Sequence, residues 1–147
     1  MLTAPMGKPG FAIKGMTIHT SFGIPVNVYK GDILPLNRDK SNTLNNLLRQ
    51  LRLIIIDEFS MVGATMLEQI HMRLKQIFRN NYDFGGIPII MFGDLNQLML
   101  VGDTFIFEPN NRNPYRPLCG TYLWERFKFF ERTSLSPTHS TTWRATK

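Results

Sequence analysis

Leu53-Ile54-Ile55-Ile56 is an unbroken apolar run that stops at Asp57-Glu58. Three of its four residues are isoleucine, which favours a strand over a buried helical turn. With no polar alternation, both faces of that strand are expected to be covered, the habit of a parallel sheet between helix layers. A second apolar run, Ile87 to Phe92, ends at Gly93-Asp94, with Pro88 tolerable near its start. Between the two runs the period changes. Thr65-x-x-Glu68 has the form of a capping box. Leu67, Ile70, Leu74, Ile77 and Phe78 then make one stripe, with Glu68, Arg73, Lys75 and Gln76 outside it and His71 on its flank. The stripe fades at Asn80-Asn81, and Gly85-Gly86 turns the chain. Strand, helix and strand form a βαβ unit with the right-handed crossover such units share.

The flanks are less regular. Met1 to Pro5 reads as the tail of a strand, and Met6 to Gly15 as a glycine-rich loop. Thr17 can cap a short helix that puts Phe22 in the core, and Gly23 to Lys40 is an irregular connection. Ser41 can cap a helix running to about Gln50, with Leu44, Leu47, Leu48 and Leu51 on one face. Gly102 to Gly120 looks like a surface excursion, and Tyr122 to Phe130 like a helical turn and a strand. From Ser134 the chain is rich in Ser, Thr and basic residues, with Trp143 its one large apolar side chain, and disorder is expected there. The pattern predicts an α/β fold, a parallel sheet flanked by helices over residues 1–133, followed by a disordered tail over 134–147.

In open α/β sheets ligands collect beyond the carboxyl ends of the strands. The βαβ unit brings Asp57, Glu58, Asp94 and Gln97 to that one edge. An acidic pair at a strand end suits a metal ion and an attacking water, the form of a Walker B element. The plainer alternative is a turn begun by Asp57 with Glu58 capping the next helix. Lys8 does not make a phosphate loop, because Gly7-Lys8 is followed by Pro9 and lacks both an upstream glycine and a hydroxyl. Thr17-Ile18-His19-Thr20-Ser21-Phe22 offers hydroxyls, an imidazole and an aromatic ring, a set suited to phosphates and a stacked base, beside the capped-helix reading.

The 147 residues carry a net charge of +6, which favours a polyanionic partner. The single cysteine, Cys119, excludes an internal disulfide and a thiolate zinc cluster. No apolar run approaches the roughly 18 residues of a membrane span, so no membrane partner is expected and the chain reads as intracellular.

Four segments, in order and spacing, carry a family resemblance. They are Leu2 to Pro5, Gly15 to Pro25, Ile54 to Val62 and Phe92 to Leu98. Together they resemble the petite-integration-frequency (PIF-type) ATP-dependent DNA helicases, including the helicase modules of Helitron transposons. The likeness covers about Leu2 to Thr133. It implies part of the first RecA-like domain, a P-loop NTPase fold, of a motor that moves five-prime to three-prime on single-stranded DNA. It also implies ATP and Mg²⁺ as cofactors, roles in DNA repair, recombination or telomere maintenance, and a nuclear or mitochondrial setting. By position, Asp57 resembles the Mg²⁺ ligand and Glu58 the base for the attacking water. Asp94 and Gln97 fall in the Gly-Asp-x-x-Gln element, whose glutamine senses the γ-phosphate. Thr3, Pro5 and Gly7, with Thr17 and His19, resemble the strand-contacting segments.

The departures shape the expectation. The family's phosphate loop is not in this sequence. Gln97-Leu98-Met99-Leu100-Val101 replaces the usual Gln-Leu-Pro-Pro-Val. The pattern stops after Thr133 without its Met-Arg-Gln element, which marks the tail over 134–147 as aberrant, and the second RecA-like domain is missing. The chain is therefore expected to be a helicase fragment that keeps the carboxylate side of an ATP site without the cradle and does not hydrolyse ATP alone. Two other readings stand beside it: a non-catalytic single-strand-binding module and an inert gene remnant.

Overall fold

The structure is a computed structural model. It describes residues 1–7, 10, 14–26, 33–94, 103–107, 123–131 and 141–145, the last five and residue 131 by their backbone. Gln97, the excursion around Cys119 and most of the tail lie outside the described residues.

Four strands form the expected parallel sheet: β1 (Leu2–Ala4), β2 (Met16–Thr17), β3 (Ile54–Ile56) and β4 (Ile89–Gly93). Two more, β5 (Phe127–Glu131) and β6 (Thr141–Ala145), add to the β4 edge in antiparallel fashion, giving the order β2-β1-β3-β4-β6-β5. The isoleucine run makes β3 central. Ile54 pairs with Ile89 and Ile56 with Met91, and these four side chains are fully buried on one face. Each contributes about 1.5–3 kcal/mol of burial. The opposite face departs from expectation: Ile55 and Ile90 are half-buried and Phe92 is 38% exposed, so only one face is fully covered among the described residues.

Among the described residues there are three α-helices. α1 (Ile18–Phe22) begins as the capped-helix reading requires. The Thr17 side chain accepts from the Thr20 amide, Ile18 and Phe22 are fully buried, and Gly23 ends the helix in the left-handed region. α2 (Arg38–Leu48) starts three residues before the expected Ser41, because the Asn37 amide oxygen accepts from the Lys40 N–H at 2.8 Å and supplies the cap. Its leucines divide: Leu48 is buried and Leu47 is 69% exposed.

α3 (Ala64–Phe78) carries the predicted stripe, with Leu67, Ile70, Leu74 and Ile77 at 0% exposure. Three polar residues of the helix are inside: Gln69, Arg73, expected outside the stripe, and His71, expected on its flank. Arg73 is buried where the Leu34 backbone meets its guanidinium. Its Nη1 donates to the Leu34 carbonyl at 3.3 Å and to Gln76 Oε1 at 2.8 Å, and burial lowers its pKa. His71 Nδ1 accepts from the Phe84 amide at 3.2 Å, and the two rings meet edge to face.

The capping box does not form. The N-cap of α3 is Gly63, which offers no side chain, and Thr65 lies inside the first turn. Within the tail, residues 141–145 form β6, paired with β4 on one side and β5 on the other. Backbone pairing rewards an extended Thr-Thr-Trp-Arg-Ala segment that composition alone marks as polar.

Candidate active site at the strand ends

All four parallel strands point their carboxyl ends to one edge. Thr3 is in register with Ile56 and Met16, and Ala4 with Thr17. Asp57 follows β3 directly, and its amide donates to the Thr3 carbonyl at 2.9 Å, so the chain is still tied to β1 where the acidic pair begins.

Glu58 then takes an unusual backbone conformation, φ 53° and ψ 44°. A non-glycine residue in the left-handed region costs roughly 1–2 kcal/mol and persists only where the surroundings over-determine it. Those surroundings are visible. The Glu58 amide donates to Asp57 Oδ1 at 3.0 Å. The Met61 amide donates to the Glu58 carbonyl, and the Val62 amide to that of Phe59, closing a 3-10 turn over Phe59–Met61. Phe59 is fully buried against Gly93, where a Cβ would lie 2.8 Å from Phe59 Cδ1 and 2.9 Å from its backbone nitrogen. This close approach holds the end of β4, and Asp94 after it, beside the acidic turn. Asp57, Glu58 and Asp94 are each half-buried.

Beyond the turn, α3 starts under a carboxylate that sequence reasoning missed. Asp103 Oδ1 and Oδ2 accept from the Thr65 amide, and Oδ1 also accepts from the Thr65 hydroxyl at 2.9 Å and the Thr104 amide at 2.8 Å. The Ala64 amide donates to the Thr104 carbonyl, and Gly63 bridges Phe105. Thr65 and Asp103 are 38 residues apart, and no local pattern couples them.

The five strand-contact candidates separate by exposure. Gly7 is exposed, and Pro5, Thr17 and His19 are half-buried at the same edge. Thr3 is fully buried, its hydroxyl accepting from Ser21 Oγ at 3.5 Å, so its side chain supports the edge from inside and does not reach a bound strand. Thr17 and Thr20 share a hydrogen bond between hydroxyls at 2.9 Å. Burial lowers the His19 pKa, which favours the neutral ring.

Among the described residues no three His, Cys, Asp or Glu side chains converge on one point. A hard divalent ion that is held mainly by phosphate oxygens and waters needs only one or two carboxylates. Asp57 fits that use: one oxygen is engaged by a single backbone amide and the side chain is partly open. No helix of the described residues is long and apolar enough to cross a membrane.

A parallel sheet with an acidic turn at its carboxyl edge and helices packed on it is the layout of a RecA-like α/β domain. The chain belongs to the PIF1-like helicase family, whose model matches residues 1–142. That match runs past Thr133 and corrects the expectation that the family pattern stops there. ATP-dependent DNA helicase Pif1 of Psychrobacter sp. (strain PRwf-1) is 32% identical over 128 residues, 86% of this chain and 19% of that protein. Bacteroides Pif1 bound to single-stranded DNA superposes with a TM-score of 0.57 at 34% identity, over 69% of this chain and 24% of that one. The Bacteroides helicase in complex with ADP-AlF3 and single-stranded DNA gives a TM-score of 0.58 at 35% identity, over 69% and 23%. The chain thus spans about a fifth of the length of the Psychrobacter relative, and about a quarter of the Bacteroides chains.

Proposed function

We propose that this chain is part of the first motor domain of an ATP-dependent DNA helicase, and that its strand-end edge serves both nucleotide and DNA. The observation that carries this is the Asp57-Glu58 turn, in which a left-handed Glu58 stands at the carboxyl end of the central parallel strand beside Gly93-Asp94. Mg²⁺, when bound with ATP, supplies charge neutralisation at the phosphates, and Asp57 is the residue that would hold it. Glu58, turned out of the strand by its backbone, accepts the proton of the attacking water. Gln97 completes the site as the γ-phosphate sensor, since its amide can accept from water and donate to phosphate at once. Asp94 lies at the foot of the segment that carries it.

Pro5, Gly7, Thr17 and His19 form the single-stranded DNA side of the same edge, with Thr3 supporting them from below. The neutral His19 ring can stack on a base, a contact worth about 1–3 kcal/mol, and the hydroxyls of Thr17 and Thr20 suit phosphate oxygens. The second RecA-like domain of the parent protein would close over both ligands.

The test uses the helicase polypeptide that carries this chain. Glu58→Gln keeps the side chain's shape but removes the proton acceptor. It should leave nucleotide binding within about twofold and cut phosphate release by at least 10²-fold, the lower end of general-base effects. Asp57→Ala should weaken Mg²⁺-nucleotide use. Normal turnover by Glu58→Gln would remove the base assignment. A second reading, single-strand binding without catalysis, draws on the +6 charge and the Thr17–Thr20 hydroxyl pair. It predicts DNA binding indifferent to nucleotide.

A further inference from the structure

We propose that Asp103 is a positioning residue for the acidic turn, acting through Thr65 to hold Glu58 in its left-handed conformation. The inference rests on the reading of Glu58 as the base, and it names a residue outside the strand-end motifs as part of that machinery.

The first turn of α3 lacks a side-chain cap of its own. α3 opens on Gly63, so its first amides have no side chain of their own segment to satisfy them. Asp103, which follows β4 in the chain, supplies the acceptor and meets both the amide and the hydroxyl of Thr65. Its negative charge also suits the positive end of the helix dipole. Gly63 is required for this arrangement, because a Cβ there would fall 2.1 Å from Asp103 Oδ2. Thr104 and Phe105 extend the contact, through the Ala64 amide and the bridge to Gly63.

The acidic turn is consequently fixed at two points. Upstream, Asp57 is bonded to β1 and Phe59 is pressed on Gly93. Downstream, residues 63–65 are held by residues 103–105. Only Ser60, Met61 and Val62 lie between, and Ser60 and Val62 are buried. A left-handed Glu58 is unfavourable alone, so relaxing the downstream tie gives the turn a way to relax too. The tie joins α3 to residues that follow the Gly-Asp-x-x-Gln element, so both acidic-turn flanks are anchored to the segment leading into or out of it.

The test reads backbone amides in this chain by hydrogen exchange. The amides of Glu58, Met61 and Val62 report on the turn, and those of Ile54 and Asp57 report on the sheet. Thr65→Val removes the hydroxyl donor, Asp103→Asn removes one charged acceptor, and Thr65→Ser keeps both donors. Thr65→Val and Asp103→Asn should speed exchange at the turn about tenfold, which is 1.4 kcal/mol, and leave the sheet amides unchanged, with Thr65→Ser restoring wild-type rates. Faster exchange confined to Thr65 and Thr104 overturns the proposal, and so does equal acceleration at the sheet amides, which marks a loss of overall stability. In the helicase carrying this chain, Thr65→Val should lower kcat about tenfold with KM for ATP unchanged, and Thr65→Ser should rescue it. An unchanged kcat alongside a loosened turn overturns the catalytic consequence. If Glu58→Gln turns over ATP normally, the base assignment fails, while the exchange data still decide whether Asp103 holds the turn.

Discussion

Gly93→Ala is the sharpest perturbation available at the candidate site, because its cost is set by backbone and not by a movable side chain. The added Cβ would meet Phe59 Cδ1 at 2.8 Å, the Phe59 backbone nitrogen at 2.9 Å and Cε1 at 3.3 Å. Rotating the Phe59 ring could relieve the carbon contacts, but the ring is fully buried with little room to turn. The contact with nitrogen can be relieved only by moving the turn away from β4. Overpacking of this kind costs typically 1–3 kcal/mol. At about 2 kcal/mol and roughly 2–4 °C per kcal/mol for a chain of this size, the midpoint should fall by about 4–8 °C. Urea unfolding should show a lower midpoint at an unchanged slope, since the surface exposed on unfolding is the same. Gly7→Ala is the control, because its Cβ meets nothing within 4 Å. The reasoning fails if Gly93→Ala unfolds within about 0.5 kcal/mol of wild type, the range expected of surface changes away from special features.

Three further outcomes are expected. Glu58→Gly should raise stability by about 1 kcal/mol, because glycine adopts the left-handed region without the Cβ penalty; chemical denaturation checks it, and a loss of stability would show that the Glu58 side chain outweighs its strain. Burial lowers the His71 pKa below its ordinary 6.5, with Lys75 lowering it further and Asp83 opposing. The unfolded chain therefore binds more protons in that range, so stability should be full above pH 6.5 and fall as the pH drops through the lowered folded value. His71→Gln should flatten most of the slope, leaving the part due to His19, which shifts the same way; a slope unchanged in His71→Gln refutes the account. Binding to a labelled oligothymidine should weaken steeply as salt rises, and His19→Ala should weaken it at every salt concentration. Anisotropy titrations decide this: a flat salt response removes the electrostatic contribution, and an unaffected His19→Ala returns His19 to a helix-packing role.

What the sequence made legible was what depends on neighbours in the chain. The isoleucine run, the stripe from Leu67 to Ile77 and the Thr17 cap rest on periods and short spacings, and they appear where those spacings put them. Asp57, Glu58 and Asp94 share an edge because a βαβ unit leaves no other arrangement. The misreadings have long-range causes. Thr65-x-x-Glu68 has the form of a capping box, but Thr65 turns to Asp103, 38 residues on. Arg73 is polar by type, yet it is buried and bonded to the Leu34 carbonyl, 39 residues back. Thr3 is a hydroxyl residue at the right edge whose side chain points into the core to meet Ser21. The left-handed Glu58 has no signature in composition, because Glu is not a residue chosen for positive φ. Next to it Phe59 packs on Gly93, a contact that belongs to the fold and not to either motif alone.

The position of β6 bears on how the molecule is assembled. β6 lies between β4 and β5 although it follows both in the chain, with Gly93 paired to Thr141 and Phe127 to Ala145. During synthesis, β5 emerges before its only partner in the described sheet exists. Closing such a long loop costs entropy before any pairing repays it, and topologies of this kind form late. Until residues 141–145 arrive, or after a protease removes them, β4 presents Ile90 to Gly93 as an open edge with Phe92 outward. An unpaired apolar edge is a template for strand addition from another molecule. Loss of residues 141–145 by clipping should therefore promote aggregation while leaving every residue of the acidic turn in place.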